Sequence, residues 1–129
     1  MPILVERRRR RSGYPSLALH YWLAEIARQN DLFALVLADS AGLLIGASLR
    51  GPEADELAAI APLIAREDHP ASYEGDAGSR RRRPTVPVTV ECVAVEGDSM
   101  YLCAVGEAEQ SQEGLSEASD GVHRILATA

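Results

Sequence analysis

The stretch from Phe33 to Arg66 leaves this chain the fewest choices. It reads Phe33-Ala34-Leu35-Val36-Leu37-Ala38-Asp39, then Ser40-Ala41-Gly42, then Leu43-Leu44-Ile45-Gly46-Ala47-Ser48, and then a segment opened by Gly51-Pro52-Glu53. Two apolar runs, each too short for an ordinary helix and bounded by turn residues, predict a buried β-hairpin. Asp39 can hydrogen-bond the backbone two residues on, and Gly42 takes positive φ without steric cost. The next helix, about Pro52 to Arg66, carries its own start marks. Pro52 suits the first helical position, and Glu53, Asp55 and Glu56 favour the positive end of the helix dipole. At 100° per residue Leu57, Ile60 and Ile64 form one stripe, expected to cover the sheet. Ala54, Ala58, Ala61 and Ala65 form a second stripe beside it, where small side chains would let a partner subunit's helix approach. Pro62 lacks a backbone donor, so a kink or an early end is expected there.

The flanking segments complete one domain. Leu19, Trp22, Leu23 and Ile26 recur at helical spacing and predict an amphipathic helix from about Pro15 to Gln29, closed by Asn30 and Asp31. Trp22 reads as core, and His20 lies off the stripe as a solvated surface histidine. Val86–Glu96 and Ser99–Gly106 read as a second hairpin. Joining them by Gly97-Asp98 in a type II′ turn sets Cys92 opposite Cys103. Val88, Val90, Cys92 and Ala94 then share a face with Tyr101, Cys103 and Val105. Val93 and Val95 share the other face with Met100, Leu102 and Ala104, so both faces need cover. Leu115, Ala118, Val122, Ile125 and Leu126 give a C-terminal helix, weakened by Gly114 and Gly121. Residues 1–13 read as a flexible Arg-rich arm and 14–129 as the domain. Residues 67–85, with Pro70, Gly75, Gly78, Ser79 and Pro84, read as a long loop.

Charge is distributed unevenly. The 13 basic residues are all Arg, five at positions 7–11 and four at Arg80, Arg81, Arg82 and Arg83. Outside these blocks four Arg face 19 acids, a net of −15 within a chain whose overall charge is −6. Three readings of the blocks stay open: solvated arms, docking on an acidic protein surface, and contact with nucleic acid or an anionic membrane. The acidic body and the absence of aromatics among the Arg argue against nucleic acid. No apolar run reaches the ~18 residues of a membrane span. The arginine block follows Met1–Val5 instead of preceding it, the reverse of a secretory signal, so a cytoplasmic chain is expected.

A search for chemistry returns no catalytic residues, no cofactor-binding motif and no metal site. His20, His69 and His123 stand in different elements. The phosphate-binding glycine loop, the HExxH pair and the G-x-S-x-G elbow are absent. Cys92 and Cys103 are too widely spaced for a zinc knuckle and read as small core residues.

The order of elements resembles the roadblock/LC7 family, bacterial type. So does the text Ala34-Leu35-Val36-Leu37-Ala38-Asp39, Gly42-Leu43, Ala47-Ser48 and Asp55-Glu56-Leu57-Ala58. The likeness spans about Leu17 to Leu126 and is strongest from Phe33 to Ala65. It implies an α/β fold: an α-β-β-α-β-β-β-α sandwich whose central, mostly antiparallel sheet carries helices on both faces. It also implies homodimers packed through the second helix and the third strand. Family members are mostly non-catalytic adaptors and regulators, including bacterial partners of Ras-like small GTPases, some of which activate GTP hydrolysis. The implied function is a dimeric regulator or adaptor that binds a small GTPase or a related signalling partner, with no active site of its own. The alternatives are a GTPase-activating partner and a tether to nucleic acid or anionic membrane through the Arg arms. Arg80–Arg83 are the expected partner contacts. The family has three strands after the second helix, and only two are clear here. The third is expected at Arg80–Pro87, by division of Val86–Glu96, or not at all, and Pro84 and Pro87 argue against a regular strand there.

Overall fold

A computed structural model describes residues 16–67, 71–73 and 86–127. The 1–13 arm, His69 and Arg80–Arg83 lie outside the described residues. The elements are α1 (Ser16–Gln29), β1 (Ala34–Asp39), β2 (Leu44–Ala47), α2 (Pro52–Glu67), β3 (Ala71–Tyr73), β4 (Val86–Val95), β5 (Asp98–Val105) and α3 (Ala108–Ala127). The strands form one antiparallel sheet in the order β2-β1-β5-β4-β3. Leu19, Leu23 and Ile26 of α1 and Leu115, Ala118 and Val122 of α3 pack on one face, over Leu35, Leu37 and Leu102. Ala54, Leu57, Ala58 and Ala61 of α2 pack on the other, over Val36, Ala38 and Cys103. This is the roadblock/LC7-like sandwich. With helices on both sides, Ala34–Ala38 of β1 are buried whichever way they point, which is why that run does not alternate.

Local chemistry sets the joints. Asp39 Oδ1 accepts from the amides of Ala41 (2.9 Å) and Leu43 (3.0 Å), and Gly42 takes φ +84°. A side chain on Gly42 would also meet the Ala59 backbone of α2 at 3.3 Å, so the turn fits only glycine. At the end of α1, Asp31 adopts φ +57°; Leu32 N donates to Ala27 O and Asp31 N to Arg28 O, the Schellman pattern. Trp22 donates its indole N–H to Ala118 O (3.1 Å) and lies flat enough on α3 that a Cβ on Gly121 would sit 2.1 Å from the ring. Gly121 therefore weakens α3 as a helix and makes room for the half-buried tryptophan.

Four expectations need correction. The third strand is Ala71–Tyr73, inside the stretch read as loop. It pairs with the start of β4 through Ala71↔Val88 and Tyr73↔Val86. Pro87 is tolerated because it sits near the strand's first residue, opposite Gly106, whose amide donates to Pro87 O (3.0 Å). Pro87 cannot return that bond, and the Gly106 carbonyl instead accepts from the buried Ser111 hydroxyl of α3 (3.3 Å).

The second correction is the β4–β5 register. The turn is Glu96-Gly97, not Gly97-Asp98, and both residues have positive φ (+51° and +86°), the signature of type I′. Cys92 therefore pairs with Tyr101, and Cys103 with Val90. The slip moves each partner by two residues, so every side chain keeps its face. The alternation of apolar residues is blind to such a slip; the backbone twist of the turn decides it.

The third correction concerns α2. Ala54, Ala58 and Ala61 cover the sheet together with Leu57, all at most 1% exposed, while Ile60 is 36% and Leu63 49% exposed. The small stripe faces the chain's own strands, because methyl groups let the helix lie close to the sheet. Ala65, at the helix end, is half-buried. Finally, α2 does not end early at Pro62 but continues to Glu67.

Candidate interaction surface

The three helices do not cover the sheet evenly. On the α2 side, Val88 near the start of β4 is buried, but Val90 is half-buried and Cys92 and Ala94 are exposed. Tyr101, paired with Cys92, is half-buried beside them. On the opposite side the pattern is inverted, with Val93 and Val95 buried under α3 and Glu91 exposed. The hairpin end of the β4–β5 sheet is therefore open on the α2 side.

α2 continues this open strip. Its Ala58–Ala59 flank is occupied by the Gly42 turn. Helical geometry places Ile60 and Ile64 on the other flank, toward β5 and β4, and Ile64 packs against the same cluster as Val90 and Tyr101. Ile60, Ile64, Val90, Cys92, Ala94 and Tyr101 thus form one apolar band beside the exposed Leu63. A contiguous apolar band on a small domain marks an interaction site. The β3 side of β4 adds backbone groups to it. Val90 and Cys92 turn their amides and carbonyls away from β5, and among the described residues no strand pairs with them there.

Both described histidines hold edge carbonyls. His20 Nδ1 donates to Ala47 O (2.8 Å), so it is half-buried rather than solvated. His123 Nε2 donates to Ala94 O (2.9 Å), and its Nδ1 faces Ser119 O at 2.9 Å. The ring ties the end of α3 to the side of β4 that faces away from β5. Each histidine blunts one edge of the sheet, a known hazard for unplanned strand pairing. Among the described residues no group of three His, Cys, Asp or Glu is placed to hold a metal ion. Burial pushes the Cys103 thiol up to about 12, which makes it inert, whereas Cys92 is exposed. The expectation that both cysteines are core residues holds for Cys103 alone.

No protein-family model matches the sequence, and no curated protein matches it. Among solved structures the chain is similar to Myxococcus xanthus MglB, with a TM-score of 0.53 at 12% identity, covering 88% of this chain and 91% of that one. It is also similar to an MglB with tetrameric arrangement, with a TM-score of 0.57 at 17% identity, covering 90% and 93%. At these identities the likeness establishes the fold.

The residues singled out from sequence are placed differently from one another. Ala54, Ala58 and Ala61 come together, but beneath α2 and not on its surface. Ile60 and Tyr101 of the band, and the exposed Leu63 beside it, were missed as surface. Leu63 carried one usable signal: it is the apolar residue of α2 in phase with neither stripe.

Proposed function

We propose that this chain is a non-catalytic, dimeric roadblock-type regulator or adaptor that binds a Ras-like small GTPase or a related signalling protein in the cytoplasm. One observation carries the reading: the apolar band from Ile60 to Ala94 lies beside a strand side that no other described residue pairs with, on a fold shared with MglB structures. A second copy supplies its own α2 and β3 edge, which are the two things the band lacks. Two copies packed α2 to α2 cover Ile60 and Leu63 on each and extend the sheet across the two-fold axis. The partner then meets a surface built from both copies.

The experiment has two stages. Light scattering at micromolar concentration is expected to give the mass of a dimer; a monomer at high micromolar concentration overturns the assembly. Binding is then measured against the Ras-like GTPases of the source genome loaded with GDP or a GTP analogue. Nucleotide-dependent binding is expected, and its absence for every such GTPase overturns the partner assignment. Faster GTP turnover on binding assigns an activator, and unchanged turnover an adaptor.

A further inference from the structure

β2 is the sheet edge opposite β3, and it forms the floor of a groove of about 510 Å³. α1 walls the groove on one face of the sheet, with Leu17 and His20, and the start of α2 walls it on the other, with Asp55. The pairing Val36↔Ala47 and the bond from Ser48 N to Leu35 O turn the amide and carbonyl of Ala47 off the edge. Leu44, one residue past the bonded pair Asp39 and Leu43, turns its own the same way. Among the described residues no strand pairs with β2 on that side. The bulge between Leu44 and Ala47 and the His20 bond to the Ala47 carbonyl close the edge to a long regular strand. The Leu44 amide and carbonyl and the Ala47 amide remain for a short one.

We propose that this groove takes a short extended segment of a partner protein, apolar on one face and basic on the other. A strand added to a sheet edge draws affinity from main-chain bonds and specificity from its alternate side chains. Here the alternate side chains meet unlike walls. Those turned to α1 meet Leu17, which is apolar and 57% exposed. Those turned to α2 meet the exposed Asp55, with Glu53 and Glu56 within one turn of it. None of these three carboxylates is ion-paired with a described residue. Arg50, in the loop from β2 to α2, lines the groove as well, so this side keeps an excess of negative charge. Basic side chains complement that excess, and acidic ones are repelled by it. The groove lies at the other edge of the sheet from the apolar band, and the proposal does not depend on the function given to that band.

NMR titration of the full chain tests this with two short capped peptides, one alternating valine and lysine, the other alternating valine and glutamate. The lysine peptide is expected to shift the Leu44 and Ala47 amides saturably and to slow their hydrogen exchange, with Leu35 to Leu37 unchanged. The glutamate peptide is expected to do neither. Asp55→Asn is expected to weaken the lysine peptide about threefold or more, an effect that fades in high salt. No shift at either amide up to millimolar lysine peptide overturns the proposal, and so does equal binding of the two peptides. Protection of both amides in the protein alone also overturns it. Protection that grows with protein concentration would place a second copy on the edge, and protection that does not would place a segment of the same chain there.

Discussion

Cys103 sits mid-strand in β5, opposite Val36 on one side and Val90 on the other, with α2 above it. Cys92 lies on the same face where α2 no longer reaches. At neutral pH an alkylating reagent is expected to modify Cys92 in the native protein and Cys103 only after denaturation, as peptide mass spectrometry would show. Burial holds the Cys103 thiol at about 12, above the ~8.5 of an unfolded cysteine. A raised folded value means a contribution fully present below the unfolded pKa and lost as pH rises toward 12. Between these values the denaturant midpoint of the unaltered protein should fall more steeply than that of Cys103→Ala. Glu96 is the second residue with a distinct outcome. It holds φ +51° in a turn position that suits Asn or Gly. Glu96→Asn is expected to stabilise the fold by about 0.5–1 kcal/mol, visible as a higher melting temperature; an unchanged or lower one would mean the turn carries no strain. The surface pair of Arg28 with Glu25 lowers the carboxyl's pKa through the hydrogen bond from Arg28 and contributes little to stability in solvent.

At the scale of elements, α2 separates packing from association. Ala58→Arg puts a long cation between helix and sheet, where nothing pairs with it, at a cost of ~3–5 kcal/mol. Circular dichroism should show a large loss of melting temperature. Leu63→Arg, half in solvent, should leave the melting temperature of the isolated subunit nearly unchanged and shift the assembly to monomer in light scattering. If Ala58→Arg instead gave a stable monomer, the helix would be facing the way its stripes suggest on a helical wheel. Both stripes were legible in the sequence. That the alanine stripe faced inward beside Leu57, leaving Ile60 at the rim, was not, because methyl and butyl side chains both bury well and only the helix-to-sheet distance chooses between them.

Among the described residues the fold is asymmetric: two helices cover one face of the sheet, a single helix covers the other, and Cys92 lies on that second face beyond the helix. If that part of the face closes against a second copy, Cys92 reports it. Its alkylation rate is expected to fall severalfold as concentration rises through the dimer range, and Leu63→Arg should abolish that dependence. A rate independent of concentration in a protein that is dimeric by mass would place the interface elsewhere.

The sequence by itself determined the order of the three helices and the two hairpins, the Asp39–Gly42 turn, the caps of α2, the burial of β1 and the assignment of β4 and β5 side chains to two faces. These depend on local bonding and on a two-residue period, which are written in neighbouring residues. The tertiary structure alone decided the register of the second hairpin, because a two-residue slip leaves that period untouched. It alone found β3, whose three residues are a strand only because the start of β4 lies beside them. It alone turned the alanines of α2 inward, and it made His20 and His123 caps for edge carbonyls 27 and 29 residues away along the chain. Each of these rests on a contact between segments distant in sequence, and no local pattern records which distant segment will arrive.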